Sequence, residues 1–240
     1  MARQYVIIVA GGVGSRMSGN LPKQFLMLGD KPILLHTIER WSEFDPNIPI
    51  ILVLPQTHHA TWTQIAEQFD VQENITVVYG GSERFYSVQN ALKHIPDDVL
   101  VAVHDAVRPF VSVETIASSF ALAEQHNSAV PYIIPQESVR MEKTDGSNSP
   151  LNRKTLRIIQ TPQTFSSNKL KQAYQQPFQN DFTDDATVWE KAGEKVFLFE
   201  GNPENIKITT PLDLKMAENS YLTTNFPLCA PPSLSRACTM

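Results

Sequence analysis

The chain is poor in cysteine. Its 240 residues include only two cysteines, and both of them, Cys229 and Cys238, lie close to the C-terminus. A body without cysteine excludes a disulfide framework or a thiolate metal site as the source of its stability, and this usage is typical of a reducing compartment. We therefore expect a cytoplasmic protein that is stabilised by an ordinary hydrophobic core.

Long apolar runs and an excess of basic charge are also missing. The apolar segment near the N-terminus ends in a glycine loop after a few residues, so it is too short for a membrane span, and no signal segment is expected. The 20 basic residues are outnumbered by 25 acidic ones, whereas nucleic-acid-binding domains usually carry a basic surface. We expect neither a membrane nor a nucleic acid as a partner.

Strand and helix signals alternate along most of the chain. This order predicts an α/β protein, a three-layer α/β/α sandwich around a mostly parallel, Rossmann-like sheet. We expect a single domain over residues 1–222, an arm at about 136–160 and a disordered tail over 223–240. The later strands are predicted at 48–54, 75–79, 100–104, 129–134, 196–200 and 205–209, and helices at 31–41, 59–69, 113–126, 168–175, from 182 onward and at 211–221.

The segment VIIVAGGVGSRMSGNLPK is the most informative part of the sequence. Its apolar start predicts a buried strand, and the glycines that follow let backbone N–H groups approach an anion closely. Arg16 and Lys23 add a fork of donors and a mobile positive charge, which suit a polyphosphate. The segment therefore predicts a phosphate-binding loop that contains Gly11, Gly12 and Gly14.

Two better-known glycine motifs do not fit this loop. A dinucleotide fingerprint requires G-x-G-x-x-G, but the last position, counted from Gly12, is Met17. A P-loop requires G-x-x-x-x-G-K followed by Ser or Thr, which no window of the loop supplies. The remaining alternative is a plain glycine turn between a strand and a helix.

A second pair of glycines, Gly80 and Gly81, follows the strand predicted at 75–79. Ser82, Arg84 and Ser87 come next, at the start of a helix. Open α/β sheets bind ligands at the carboxyl ends of their strands, so these residues are candidates for a ligand site. The structural alternative is a serine that caps the helix, with an arginine at the surface.

The sequence HDAVRPF places Asp105 at the carboxyl end of another predicted strand. An acidic residue there is a candidate Mg²⁺ ligand, because Mg²⁺ on a triphosphate takes only one or two protein carboxylates. Arg108 either orients Asp105 through a salt bridge or contacts the substrate. His104 follows an apolar run, and we expect it to have a structural role.

Regular patterns weaken between residues 136 and 160. A DG turn at Asp145 and Gly146 separates two segments with some alternation, which predicts a projecting hairpin. The arm is locally basic, and a solvated arm would also have this composition.

Seven motifs resemble, in this order, those of the 2-C-methyl-D-erythritol 4-phosphate cytidylyltransferase family. They are AGGVGSRM, LPKQF, GGSERFYSV, HDAVRPF, QTPQTF, FTDDA and ENIKIT, and the match runs from about Tyr5 to about Tyr221. The sister family of ribitol-5-phosphate cytidylyltransferases shares the fourth and fifth motifs. The resemblance implies CTP and a polyol phosphate as substrates, Mg²⁺ as cofactor, and a homodimer in which the arm reaches the partner's site.

The resemblance also implies a role for individual residues. Arg16 and Lys23 would stabilise the transition state, and Asp105 would lie near the metal and the substrate. Arg153 and Lys207 would hold the acceptor phosphate, while Ser138, Thr161 and Thr183 would hold the polyol and Arg108 would lie among them. The cytidine pocket would be formed by Ala10, Gly11, Gly12, Gly14, Ser15, Gly80, Gly81, Ser82, Arg84, Ser87 and Ala106.

Two positions depart from the methylerythritol enzymes. Ser138 stands where a threonine is common, and Asn152 where an aspartate is frequent, so the choice between methylerythritol phosphate and ribitol phosphate stays open at this point. A catalytically silent nucleotide-binding subunit is an alternative of another class, although it would not need to retain Arg16 and Lys23. A uridylyl or guanylyl transferase would share the first motif but does not predict QTPQTF.

Overall fold

Four apolar segments form the parallel centre of the sheet. The computed structural model describes residues 2–11, 21–71 and 74–225. Its central strand, β1 (Gln4–Val9), runs parallel to β4 (Ile50–Leu54) on one side and to β6 (Leu100–Asp105) on the other, and β5 (Ile75–Tyr79) pairs with β4. All five residues of β4 are buried, as expected for a strand that is covered on both faces.

Within the described residues the sheet has eight strands, the others being β7 (Ser128–Ile133), β10 (Ile158–Ile159), β11 (Gln163–Ser166) and β12 (Leu198–Glu200). Their order is β10-β7-β11-β6-β1-β4-β5, with β12 paired to β7. β11 runs antiparallel between β6 and β7, and β10 is antiparallel to β7. The strands of this sheet are β1 Gln4–Val9, β4 Ile50–Leu54, β5 Ile75–Tyr79, β6 Leu100–Asp105, β7 Ser128–Ile133, β10 Ile158–Ile159, β11 Gln163–Ser166 and β12 Leu198–Glu200. Two short pairs of strands lie apart from it, β2 Met27–Leu28 with β3 Lys31–Pro32 and β8 Val139–Glu142 with β9 Asn148–Leu151.

Helices cover both faces of the sheet. Alternate residues of β1 point to opposite sides. Ile7 therefore lies in one buried cluster with α3 (Arg84–Leu92), α5 (Ser167–Ala173) and α6 (Asp185–Lys191), whereas Ile8 lies in the other with α1 (Ile33–Phe44), α2 (His59–Gln68) and α4 (Val113–His126). The predicted three-layer sandwich is therefore confirmed. The helices are α1 Ile33–Phe44, α2 His59–Gln68, α3 Arg84–Leu92, α4 Val113–His126, α5 Ser167–Ala173, α6 Asp185–Lys191 and α7 Pro211–Asn225. Among the described residues, no helix is both long and apolar enough to cross a membrane.

The prediction of a strand at 205–209 is wrong, because this segment does not form a strand in the structure. Its apolar alternation has another cause: Ile208 is buried in a small cluster with Val107 and with Ala217 of α7. The Ile208 N–H donates to the carbonyl of Val107, which lies in a loop after β6, at 3.0 Å. Packing beneath α7 therefore produced a pattern that resembles a strand.

The ends of several helices also differ from the prediction, most clearly those of α1 and α7. α1 begins at Ile33 and not at residue 31, because Lys31–Pro32 pairs with Met27–Leu28 as a strand. α7 ends at Asn225, three residues inside the segment predicted as a tail. Residues 226–240 lie outside the described part of the chain.

The predicted arm contains an antiparallel hairpin. β8 pairs with β9 from Val139 opposite Leu151 to Glu142 opposite Asn148. Gly146 closes the turn with φ +81°, a backbone conformation that glycine adopts easily. The DG turn of the sequence therefore marks the tip of the hairpin, as predicted.

Candidate functional site

The described loops at the carboxyl ends of β1, β5 and β6 enclose a cavity of about 270 Å³. Parallel strands present their carboxyl ends at one edge, so residues that are distant in sequence meet there. The cavity is lined by Val9, Ala10, Gly11, Lys23, Gln24, Gly81, Ser82, Glu83, Arg84, Ser87, Asp105, Ala106, Val107 and Lys207.

The wall formed by the second glycine pair depends on close packing. The Gly81 N–H donates to Ser87 Oγ at 3.0 Å, and the Ser87 hydroxyl donates to the Glu83 carbonyl at 3.1 Å. A Cβ built at Gly81 would lie 2.3 Å from the Tyr86 Cβ. A side chain at this position would therefore push the loop away from α3, and glycine is required for reasons of space.

Ser82 does not cap α3. The N-cap residue is Glu83, which makes no side-chain capping bond. The alternative prediction, that this serine caps the helix, is therefore wrong. Ser82 instead lines the cavity.

Asp105 lies at the floor of the cavity between two cations. Its Oδ2 lies 3.0 Å from Lys207 Nζ and 3.2 Å from Arg108 Nε, and its carboxylate is only 10% exposed. Burial raises the pKa of Asp105, but the positive charges of Lys207, Arg84 and Arg108 outweigh it and hold the pKa well below its ordinary value. Asp105 is therefore an anion that organises the surrounding cations.

Arg84 is held at the wall of the cavity by a buried carboxylate. Its Nη1 and Nη2 donate to the two oxygens of Asp185 at 2.9 and 2.6 Å, and Asp185 is fully buried. The Tyr174 hydroxyl donates to the same carboxylate at 2.5 Å. A two-bond pair of this kind fixes both the position and the plane of the guanidinium group.

His104 and Thr161 support Asp105 from below. The Asp105 N–H donates to Thr161 Oγ1 at 3.0 Å, and Thr161 Oγ1 lies 3.1 Å from His104 Nδ1. The other ring nitrogen lies 3.1 Å from the Arg108 carbonyl, which can only accept, so it carries the proton. Burial lowers the pKa of His104 to about 4. The role of His104 is structural, as the sequence predicts.

Arg108 was predicted either to orient Asp105 through a salt bridge or to contact the substrate. The structure shows the salt bridge. The Arg108 guanidinium contacts Asp105 and donates to the Asn205 carbonyl at 2.7 Å. It lies beside the cavity wall and is not among the lining residues.

Several predicted site residues converge on the cavity and others do not. Gly80 adjoins the wall, where a Cβ would lie 3.1 Å from Ser87 Oγ. Ser138 and Arg153 lie on the arm, and Thr183 is exposed; none of the three lines the cavity of this chain, and their binding roles stay predictions. The predicted residues that line it are Ala10, Gly11, Lys23, Gly81, Ser82, Arg84, Ser87, Asp105, Ala106 and Lys207, while Gly12, Gly14, Ser15 and Arg16 lie outside the described residues.

Sequence reasoning missed three residues that build the site. Asp185 was interpreted only as part of a helix start, Gln24 only as part of a motif, and Asn205 as part of a strand. Asn205 is fully buried, and its side-chain amide donates to the Thr161 carbonyl at 2.8 Å. The paired aspartates Asp184 and Asp185 were the available signal for Asp185, whereas the mixed polar and apolar residues around Asn205 offered none.

Asp105 is the one predicted metal ligand. In the described part of the chain, no group of three or more His, Cys, Asp or Glu side chains is arranged to hold a metal by itself. A single carboxylate at the cavity floor agrees with a cation that arrives with a polyphosphate, because Mg²⁺ bound in this way takes few protein ligands.

A mostly parallel α/β sheet with a glycine-walled, cation-bearing cavity at its carboxyl edge places the chain among the α/β proteins that bind ligands at the ends of their strands. The family model for 2-C-methyl-D-erythritol 4-phosphate cytidylyltransferase matches residues 4–224. The chain therefore belongs to this family of nucleotidyltransferases, and the family prediction from the seven motifs is confirmed.

Relatives of this name resemble the chain over nearly their whole length. The Porphyromonas gingivalis protein is 49% identical over 218 residues, which cover 90% of this chain and 96% of the relative. The Bacteroides thetaiotaomicron protein is 48% identical over 214 residues, 89% of this chain and 97% of the relative.

Solved structures with related names share the fold. The 4-diphosphocytidyl-2C-methyl-D-erythritol synthase of Anaerococcus prevotii has a TM-score of 0.79 and 29% identity, covering 92% of this chain and 96% of that one. The 2-C-methyl-D-erythritol 4-phosphate cytidylyltransferase of Thermus thermophilus has a TM-score of 0.73 and 26% identity, covering 90% and 97%.

Proposed function

We propose that the chain transfers the cytidylyl group of CTP to 2-C-methyl-D-erythritol 4-phosphate, forming 4-diphosphocytidyl-2-C-methyl-D-erythritol and releasing pyrophosphate. The observation that carries this proposal is the family match over residues 4–224. The cavity is consistent with it, because Lys23, Arg84 and Lys207 bring three cations to one polar space. The product would serve isoprenoid precursor synthesis by the non-mevalonate route.

The reaction needs no general base. The acceptor phosphate is largely dianionic at neutral pH, because its second pKa is about 6, so one of its oxygens can attack the α-phosphorus directly. The P–O bond to the pyrophosphate leaving group breaks as the new P–O bond forms. This agrees with a site whose buried His104 is neutral and bound on both nitrogens.

Charge repulsion between the two substrates is the main obstacle. Lys23 would neutralise the charge that develops on the α-phosphate and the leaving group, together with Arg16. Lys207 would hold the acceptor phosphate, and Arg153 would do so from the arm. The Lys207 side chain is 42% exposed, and its ammonium lies 3.0 Å from Asp105, so the fold places this cation at the floor of the cavity.

The glycine-lined walls would hold the nucleotide. Ala10 and Gly11 continue β1 into the first glycine loop, and Gly80 and Gly81 form the adjoining wall, since both Gly11 and Gly80 lie next to Ser87. Backbone that is free of side chains allows a base and a ribose to lie close to the sheet edge. Ser82, Arg84 and Ala106 complete this wall in the proposal.

Magnesium would supply charge neutralisation on the triphosphate. Asp105, the carboxylate at the cavity floor, is the residue that would hold it. We expect pyrophosphate release to stop in EDTA and to return with added Mg²⁺. Full turnover in the presence of EDTA would contradict the metal requirement.

A homodimer would complete the site through the arm. Arg153 and Ser138 are exposed, and Met141 and Ile158 expose large apolar side chains on the same segment, at 49% and 48%. We expect Lys23→Ala and Arg153→Ala chains to complement each other when mixed, since one site of each mixed dimer has both residues. Measured at acceptor concentrations well below KM, statistical mixing adds about a quarter of wild-type turnover to the residual activity of the two variants if the arms exchange, and adds nothing to it if each chain uses its own arm.

The central test is pyrophosphate release with CTP and each polyol phosphate in turn. We expect turnover with methylerythritol phosphate and at least about tenfold less with ribitol 5-phosphate. The names of the relatives favour the first acceptor over the second, and favour an enzyme over a silent subunit. Binding of CTP without turnover on either acceptor would favour the silent subunit. The cysteine-free body supports a cytoplasmic location, which fractionation of the native cells would test.

A further inference from the structure

Gln24 is buried at the wall of the cavity and has no role in the function proposed above. It follows Lys23 directly, in the short 3-10 turn Lys23–Phe25, and only 1% of its surface is exposed. Its side-chain Nε2 donates to the Ala10 carbonyl at 2.9 Å and lies 3.2 Å from His58 Nδ1. One amide group therefore joins the end of β1 to the segment that follows β4.

The direction of the second bond follows from the chemistry of the amide. Nε2 can only donate, so the Nδ1 atom of His58 accepts and carries no proton. Burial lowers the pKa of His58, with a smaller contribution from His59, which agrees with a neutral ring. The ring also packs edge-on against Phe25, with 5.9 Å between the ring centroids.

We propose that Gln24 and His58 are positioning residues for Lys23, which they hold at the cavity by fixing the 3-10 turn that carries it. This inference rests on the proposed role of Lys23 in the transfer reaction. Neither side chain needs to touch the reacting phosphates.

The backbone of the turn explains why an anchor is useful. Among the described residues, the backbone N–H groups at the end of the turn bond locally, Phe25 N–H to the Pro22 carbonyl at 2.9 Å and Leu26 N–H to the Lys23 carbonyl at 3.2 Å, while the Leu26 carbonyl accepts from the Ile33 N–H at 2.9 Å. Lysine has a long, flexible side chain, so the location of its Cα decides which volume its ammonium group can reach. The Gln24 amide ties this Cα to β1 at the point where the glycine loop begins.

The kinetic experiment compares variants that remove the two bonds with one that keeps them. Gln24→Met keeps the volume and loses both donors, His58→Phe keeps the ring and loses the acceptor, and His58→Asn keeps an acceptor near Nδ1. We expect kcat to fall about tenfold or more for Gln24→Met and several-fold for His58→Phe, because small displacements of a catalytic group are costly. His58→Asn should stay within about twofold of wild type, and KM for CTP should change little.

Ser119→Ala is the matched control for a general loss of stability. Ser119 is fully buried in α4, donates to the Ile116 carbonyl at 2.8 Å and accepts from Thr164 Oγ1 at 2.9 Å. It should lower the melting temperature without lowering kcat. If Gln24→Met loses no more kcat than Ser119→Ala at an equal loss of stability, the proposal is overturned.

Hydrogen–deuterium exchange gives a readout that does not depend on activity. The Phe25 and Leu26 amides report on the 3-10 turn, so their exchange should accelerate in Gln24→Met and His58→Phe and stay as in wild type in His58→Asn and Ser119→Ala. Unchanged exchange in Gln24→Met would overturn the proposal even if the wild-type protein had no transferase activity, and accelerated exchange would support it.

A double mutant separates this proposal from the proposed function. If Gln24 acts through Lys23, Gln24→Met should cost less than about threefold in kcat when Lys23 is already methionine, since the two effects are not additive. A further full loss in the Lys23→Met background would show that Gln24 acts by another route. Absence of pyrophosphate release by the wild-type protein would instead contradict the proposed function.

Discussion

The cavity and the arm contrast in how their charged residues are held. In the cavity, Asp105 and Asp185 are buried and each accepts bonds from two or more side chains. On the arm, the guanidinium of Arg153 is exposed and donates to the Gln136 carbonyl of the same segment. The fold fixes the positions of the charged groups in the cavity, whereas few contacts within the chain fix those on the arm.

This difference separates the site into two parts. The cavity has cations whose positions are fixed before substrate arrives, as preorganised electrostatic stabilisation requires. A two-stranded hairpin is marginally stable when it stands alone, so β8 and β9 need another surface to gain a defined position. In our proposal a second copy of the chain supplies that surface.

Breaking the Arg84 pair should have the largest effect. Asp185→Asn leaves the Arg84 guanidinium without its counter-charge in a buried setting, and we expect the free energy of unfolding to fall by about 3–5 kcal/mol. Urea denaturation measures this change. Asp181→Asn is the control, because the Asp181–Lys191 pair is 58% and 46% exposed, and it should leave the urea midpoint almost unchanged. Equal effects of the two substitutions would remove the contrast between buried and exposed charges.

Acidification should weaken the cavity region next. His104 has a pKa of about 4 in the fold against an ordinary value of 6.5, so the unfolded chain binds more protons between these values. Stability is fully present above pH 6.5 and falls as the pH drops towards 4, by about 3 kcal/mol at most.

The His104→Gln variant tests this origin. It should lose most of the slope of unfolding free energy against pH between 6.5 and 4, while the control His126→Gln, on an exposed position of α4, should keep it. If the unfolding free energy of His104→Gln keeps the wild-type slope against pH, other groups cause the pH dependence.

Removal of the Lys23 charge should affect turnover and not the fold. We expect Lys23→Ala to lower kcat by about tenfold or more, because the charge acts on the transition state. Circular dichroism and the melting temperature should match wild type. The exposed Lys191→Ala serves as the control for a general loss of positive charge, and near-normal turnover in folded Lys23→Ala would remove Lys23 from the mechanism.

The smallest effect on stability should come from the arm. Arg153→Ala should leave the melting temperature unchanged, because the side chain is exposed, and should raise KM for the polyol phosphate by about threefold to tenfold. Steady-state kinetics with varied acceptor measures this. A large fall in melting temperature would show that the arm is held as firmly as the cavity.

The sequence predicted the parts of the site that depend on local rules. Glycines after a strand and an aspartate at a strand end are recognisable because strand ends meet at one sheet edge. Gly81, Asp105 and Lys207 were predicted in this way or from the family motifs, and they line one cavity.

The remaining parts depend on contacts that no local pattern records. Asp185 lies 101 residues from Arg84 along the chain, and its own neighbourhood indicated only the start of a helix. Ile206 and Ile208 alternate as in a strand, yet Ile208 packs beneath α7. The alternation was interpreted as a strand, whereas it reflects burial, and burial alone does not tell which partner covers a segment.

The direction of β11 has a practical consequence for engineering this protein. Because β11 runs against β6, with Gln163 opposite Val103 and Ser166 opposite Leu100, the chain enters this strand at the cavity and leaves it at the far edge of the sheet. The junction between β11 and α5 is therefore remote from the chemistry. A fluorescent label attached to the exposed part of α5 would report on unfolding without obstructing the substrates.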